Sequence, residues 1–192
     1  MNRPRIAPLE PPYSPETAEA LAKWMPPGSA IEPLKLFRTL ERSPELSARL
    51  RSLGAVILGP GSSIAPRDRE ILIDRTEALC GCEYEWGVHV TAFGAPVGLS
   101  PEALRATASG AAADPAWMAR DALLVRLADE LHHTSRVSDA LWRELAASWD
   151  VRQLLELLLI AGFYHAIAYV ANGAQVDLEP WAARFPEGAR GA

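Results

Sequence analysis

Cysteine is scarce in this chain: there are two, Cys80 and Cys82, one residue apart. That excludes a disulfide-stapled secreted scaffold, and two thiols cannot close a four-cysteine zinc site. Lysine is as rare, with only Lys23 and Lys35. Lys plus Arg is 19 against 24 Asp plus Glu, a net charge of −5, and no basic cluster stands out. Nucleic acid and anionic membranes are therefore poor partners, while an arginine-lined pocket for a small acid stays open. Gly59-Pro60-Gly61 lacks the following Lys-Ser/Thr of a phosphate-cradling loop. The first residues, MNRPRIAPLEPPYSP, lack an apolar run of the kind a signal peptide needs. One strongly apolar stretch, 154–171, contains Glu156 and His165, which are costly in lipid. It reads as a core helix with no membrane role, and a cytoplasmic location is expected.

What is present suits one compact soluble domain: 192 residues, 49% hydrophobic and 22% charged. Proline is plentiful, 16 in all, and half fall before residue 34. Residues 1–13 read as an extended arm, 14–178 as a single helical domain and 179–192 as a tail that packs back through Trp181 and Phe185. Helices are expected over 15–24, 34–40, 44–58, 66–79, 82–95 and from Ser100-Pro101. Others follow over 114–131, 139–147 and 150–173, the last with Asp150 and Gln153 as a capping box. Residues 55–58 would pass for a strand in isolation but continue a helical pattern. The fold class is all-α. A weak echo between 70–94 and 153–173 falls short of a repeat.

Residues 69–89 carry the chemistry. On a helix, Cys82, Glu85 and His89 fall within about 60° of one another. Glu70, one helix earlier, would fold back toward the same point. His89 is a candidate general base with a near-neutral pKa, Glu85 its orienting partner, and Glu70 an acid or proton relay. Cys82, in a first helical turn, would have a lowered thiol pKa and is either a nucleophile toward peroxide or a bystander. Blander readings stand beside these: a plain Glu85–His89 helix pair and a small buried Cys82. Glu85 and His89 with Glu70 or His165 would make an incomplete metal set, so neither metal nor cofactor is expected. A Cys80–Cys82 disulfide would strain the turn at Gly81. His132 and His133 read as charges at a helix C-terminus. His165 reads as a core histidine or pocket wall, and Tyr84 and Trp86 as packing or pocket lining.

Arg69-Glu70, Arg75-Thr76, Cys82, Tyr84-Glu85-Trp86 and His89 together resemble the carboxymuconolactone decarboxylase family, which also contains the AhpD alkylhydroperoxidases. The resemblance is strongest over about 45–130. It implies the AhpD-like all-helical fold and assembly into dimers, trimers or hexamers. In the peroxidase branch it implies a glutamate, a CxxC pair and a histidine. Glu70, Cys82 and His89 match, but Glu85 stands at the second cysteine. In the decarboxylase branch it implies cofactor-free acid/base chemistry on a lactone acid, with Arg75 the nearest candidate for the substrate carboxylate. The expected function is acid/base catalysis by Glu70, Cys82, Glu85 and His89 on a lactone, keto acid or enolisable carbonyl compound. Substrate contacts are expected from Arg75, Trp86, Tyr84 and His165. A Cys82 peroxidase and a non-catalytic interaction module are the alternatives.

Overall fold

The computed structural model describes residues 3–189 except Pro27 and Ala30; the expected arm and tail thus lie partly outside the described residues. The described chain is all-helical, with no strand. The helices are α1 (Pro15–Ala22), α2 (Lys35–Leu40), α3 (Pro44–Leu58), α4 (Pro66–Leu79), α5 (Glu83–His89), α6 (Pro101–Ser109), α7 (Ala119–Thr134), α8 (Asp139–Ala146) and α9 (Val151–Ala174). A wider π-type turn, Val90–Gly94, continues α5. Local chemistry explains most starts. Proline occupies the first turn of α1, α3, α4 and α6, where its missing N–H costs nothing. Ser14, Ser100, Ser138 and Asp150 accept from backbone N–H groups at their helix starts.

Two of the boundaries that differ from expectation have a clear local cause. The Asp114 side chain accepts from Ala116 N (2.9 Å), closing a local turn, so α7 begins only at Ala119. Gly173 lies inside α9, and the left-handed residue that ends it is Gln175 (φ 53°).

The unusual element is α4. Its residues from Asp68 to Ala78 are all buried, five of them acidic or basic plus Asp68 itself at the start. It packs against α5, α6, α7 and α9. Its aliphatic side, Ile71, Leu72 and Ile73, joins Leu124, Leu127, Leu141, Leu157 and Ile160 in the main core. Some of its charges are matched by neighbours: Arg120 reaches Asp68 (3.0 Å) and Arg75 reaches Asp129 (2.7 Å). The apolar α9 has the length and composition of a membrane span, yet it buries Leu154, Leu157, Ile160, Ala161 and Tyr164 in this core. Val151, Leu155 and Leu159 remain exposed on its outer side.

The described parts of both chain ends lie on the helical body. The N–H groups of Arg5 and Ile6 donate to Ala174 O, and buried Arg38 donates to Leu9 O and Glu10. After α9, the Glu179 carboxylate accepts from Lys35 N and from the Tyr84 hydroxyl (both 2.7 Å). Further on, Ala183 N donates to Thr91 Oγ1 and Phe185 packs on Trp86. This close approach needs Gly87, because a Cβ there would lie 2.3 Å from Ala183 O. Gly81 (φ 62°) supplies the left-handed residue between α4 and α5. Gly87→Ala should lift the 181–185 segment off α5. We expect faster proteolytic release of the C-terminal residues and a loss of about 1–3 kcal/mol in stability, measured by denaturant unfolding.

Candidate active site

The turn at Gly81 sets α5 against α4 and brings together the two halves of the sequence stripe. His89 Nδ1 lies 2.8 Å from Glu70 Oε2, and the other Glu70 oxygen accepts from Arg69 Nε (3.2 Å). Arg69 in turn donates to Ile57 O at the end of α3. Glu70 is fully buried, so its carboxylate is fixed between a guanidinium and an imidazole. The second ring nitrogen, His89 Nε2, is 3.7 Å from Glu85 Oε2 one turn back. Phe93, carried by the π-type turn, and Tyr164 of α9 pack on the imidazole faces and edge.

Burial alone would lower the His89 pKa. The adjacent Glu70 charge and hydrogen bond, followed by Glu85 and Asp74, overcome that and raise it to about 9. This direction favours the imidazolium, a proton donor, over the near-neutral base expected from sequence. Burial raises the pKa of Glu85, partly opposed by His89, and of Asp74 and Glu77, which are buried more deeply still. Glu85 Oε1 has no hydrogen-bond partner among the described residues.

Cys82 is the clearest correction. It is the N-cap of α5, with no place in its helical turns, and its side chain is fully buried beside Leu34, Leu36 and Ala168. Burial, then Glu77 and Glu85, push its thiol pKa up, opposite to the expected lowering. Nearby carboxylates outweigh the weak dipole of a seven-residue helix. Cys80 is half-buried and is raised to about 12 by burial and Glu77.

Glu85 and His89 open onto a cavity of about 700 Å³ between α2, α3, α5, α9 and the segment after α1. Its walls are chiefly Trp24, Leu36, Phe37, Phe93, Phe163, Ile167 and Trp181, with Tyr164 beside His89 and Lys23 and Arg51 also among the lining residues. Of the sequence-proposed residues, Glu85 and His89 line this cavity and Glu70 stands behind His89. The expected substrate contacts lie elsewhere. Arg75 is held by Asp129 and Thr107 O. The Trp86 indole donates to Thr107 and packs at a tilt against Phe185. The Tyr84 hydroxyl donates to Glu179 while accepting from Leu36 N. His165 stacks on His132 (5.3 Å). The missed residues are Tyr164, Phe93, Arg51 and Trp181. Tyr164 adjoins His165 in sequence, and the 100° step between them decides which one faces the cavity.

The described chain is thus all-helical, and its candidate site is a buried glutamate–histidine pair beside an apolar cavity. Residues 43–130 match the sequence model of the Carboxymuconolactone decarboxylase family. Two solved structures share the fold. An uncharacterized peroxidase-related protein from Silicibacter sp. TM1040 has a TM-score of 0.79 at 15% identity, covering 94% of this chain and 96% of its own. A protein of unknown function from Agrobacterium tumefaciens, provisionally named the antioxidant defence protein AhpD, has a TM-score of 0.66 at 16% identity, covering 73% of this chain and 94% of its own. No curated protein matches the chain.

The raised His89 pKa has a thermodynamic sign. Its proton contributes full stability below the unfolded value of about 6.5, and the contribution is lost as pH rises through about 9. At most it is on the order of 3 kcal/mol. The NMR titration midpoint of His89 should lie near 9 and fall in Glu70→Gln, where the window of pH-dependent thermal stability should move down with it. A wild-type midpoint below 7 would contradict this arrangement.

Proposed function

We propose that this protein is a cofactor-free acid/base enzyme acting on a largely apolar lactone, keto acid or enolisable carbonyl compound. The family segment supports an enzyme of decarboxylase or peroxidase type. The observation that carries the acid/base reading is the placement of Glu85 and the His89 imidazolium at the wall of an apolar cavity, with His89 held from behind by Glu70. In a decarboxylation, the bond to the substrate carboxylate breaks and CO2 leaves. The electron pair moves into the conjugated carbonyl as an enolate, and His89 Nε2–H delivers a proton to it. Solvent reprotonates the ring. Glu70 keeps the imidazole oriented from behind through its contact with Nδ1. Glu85, whose pKa is raised, supplies a second proton donor. Arg51, which forms no ion pair among the described residues, is the cavity cation suited to a substrate carboxylate.

The names of the structural neighbours favour a thiol peroxidase as the second reading. Against it stand the burial of Cys82, the upward shift of its thiol and its position away from the cavity lining. Both readings are separable in one set of assays on the purified protein: CO2 release from a carboxylated lactone, and hydroperoxide consumption with a dithiol reductant. His89→Gln should lower lactone turnover about 10²–10⁴-fold, with Cys82→Ala near wild type. Peroxide turnover that depends on Cys82 and is indifferent to Glu85→Gln would establish the second reading instead.

Assembly into a homo-oligomer in the cytoplasm is part of the same proposal. It is supported by the exposed Val151, Leu155 and Leu159 on the outer side of α9. Light scattering after size exclusion should give an oligomer for the wild type and a monomer for Leu155→Arg/Leu159→Arg. A monomeric wild type would remove this part.

A further inference from the structure

Three potential metal ligands meet on the structure at a place that the glutamate–histidine relay does not use. Cys80 is the C-cap of α4, His132 lies in the last turn of α7, and His165 lies in the second half of α9. Each is half-buried, and their ligand atoms lie within 4.8 Å of one another. Cys80 Sγ is 3.9 Å from His132 Nδ1. The His132 and His165 rings stack at 5.3 Å and 16°. None of the three lines the cavity.

We propose that Cys80, His132 and His165 form a binding site for a borderline-soft divalent cation of the zinc class. One thiolate and two imidazoles are the donors such an ion prefers over the hard oxygen sets of magnesium or calcium. A tetrahedral ion with bonds of about 2.1 Å to nitrogen and 2.3 Å to sulfur separates its ligand atoms by about 3.5 Å. The observed Cys80–His132 spacing is close to that. The remaining gap is within reach of χ rotations of half-exposed side chains. On binding, the S–H bond breaks, the thiol proton passes to solvent, and the sulfur donates a lone pair to the metal with no change in oxidation state.

The surroundings suit this role. Asn172 Nδ2 donates to Cys80 O (2.9 Å) and ties the end of α4 to α9 independently of the thiol. The acid facing His132 from its own helix, Asp129, is engaged by Arg75. Tyr169 packs edge-on against His165, and His133 stands edge-on to His132. Three protein ligands leave a fourth position for water, and the bound ion would brace α4, α7 and α9 together. The proposal departs from the sequence expectation in two respects. His132 would be a ligand as well as a helix-end residue, and the ligand set would not draw on Glu85 or His89.

The test is a cobalt(II) titration of the full-length protein after chelator treatment. One equivalent should bind with a thiolate-to-metal charge-transfer band and the intense visible bands of a tetrahedral ion, and zinc should displace it. Cys80→Ser should abolish the charge-transfer band. His132→Ala and His165→Gln should each weaken binding by at least about tenfold, since even outer-shell losses reach that size. Circular dichroism of each variant separates lost ligation from lost fold. Cys82→Ser should leave the spectrum unchanged. Absence of the band at one equivalent would overturn the proposal, as would its survival in Cys80→Ser. The second group of possible ligands, Glu70, Asp74 and His89, is fully buried and holds no sulfur, so cobalt bound there would give no thiolate band.

Discussion

The fully buried carboxylate of Glu70 is the constraint around which the rest of the molecule is arranged. A charge in that position is tolerable only with partners on both oxygens, because desolvation of an isolated carboxylate far exceeds the stability of a domain. Arg69 and His89 are those partners, and each commits a further element. Arg69 is held by the end of α3. His89 fixes how α5 lies on α4, and hence the turn at Gly81. Two further charges of α4 extend the same logic outward: Arg120 crosses to Asp68 and Asp129 to Arg75, so α7 is docked by ion pairs as well as by aliphatic packing. Asp74 and Glu77 have no such partners among the described residues, and burial pushes their pKa values up instead.

This explains why much of the fold was legible in the sequence. Proline and Ser/Asp caps mark helix starts through local backbone chemistry that tertiary context rarely overrides, and most boundaries follow them. Exceptions arise where a side chain found another use. Asp114 satisfies Ala116 N in a turn and so cannot start a helix there. The Glu70–His89 pairing was also legible, because a helix, a glycine turn and a second helix leave few ways for the two residues to avoid each other.

The cavity was not legible. Its walls come from ordinary core residues in segments far apart in sequence, and nothing in Trp24, Phe37 or Trp181 distinguishes a wall from a filled core. Tyr164 and His165 show the limit well: they are neighbours in one apolar helix, and the less conspicuous of the two faces the cavity. Ionisation was harder still. The direction of the His89 and Cys82 shifts depends on how many buried carboxylates surround them. Asp74 and Glu77, which contribute to that field, carry nothing in the sequence that sets them apart from other helix acids.

Trp181 forms part of the cavity wall, and Glu179 secures Tyr84 and the start of α2 beside it. The cavity is therefore finished by residues near the end of the chain, although His89 and Glu70 lie near its middle. The same short segment thus shapes the chamber and seats α2 while forming no hydrogen bond with the Glu70–His89 pair among the described residues, so wall and charged centre are separate parts of the chain.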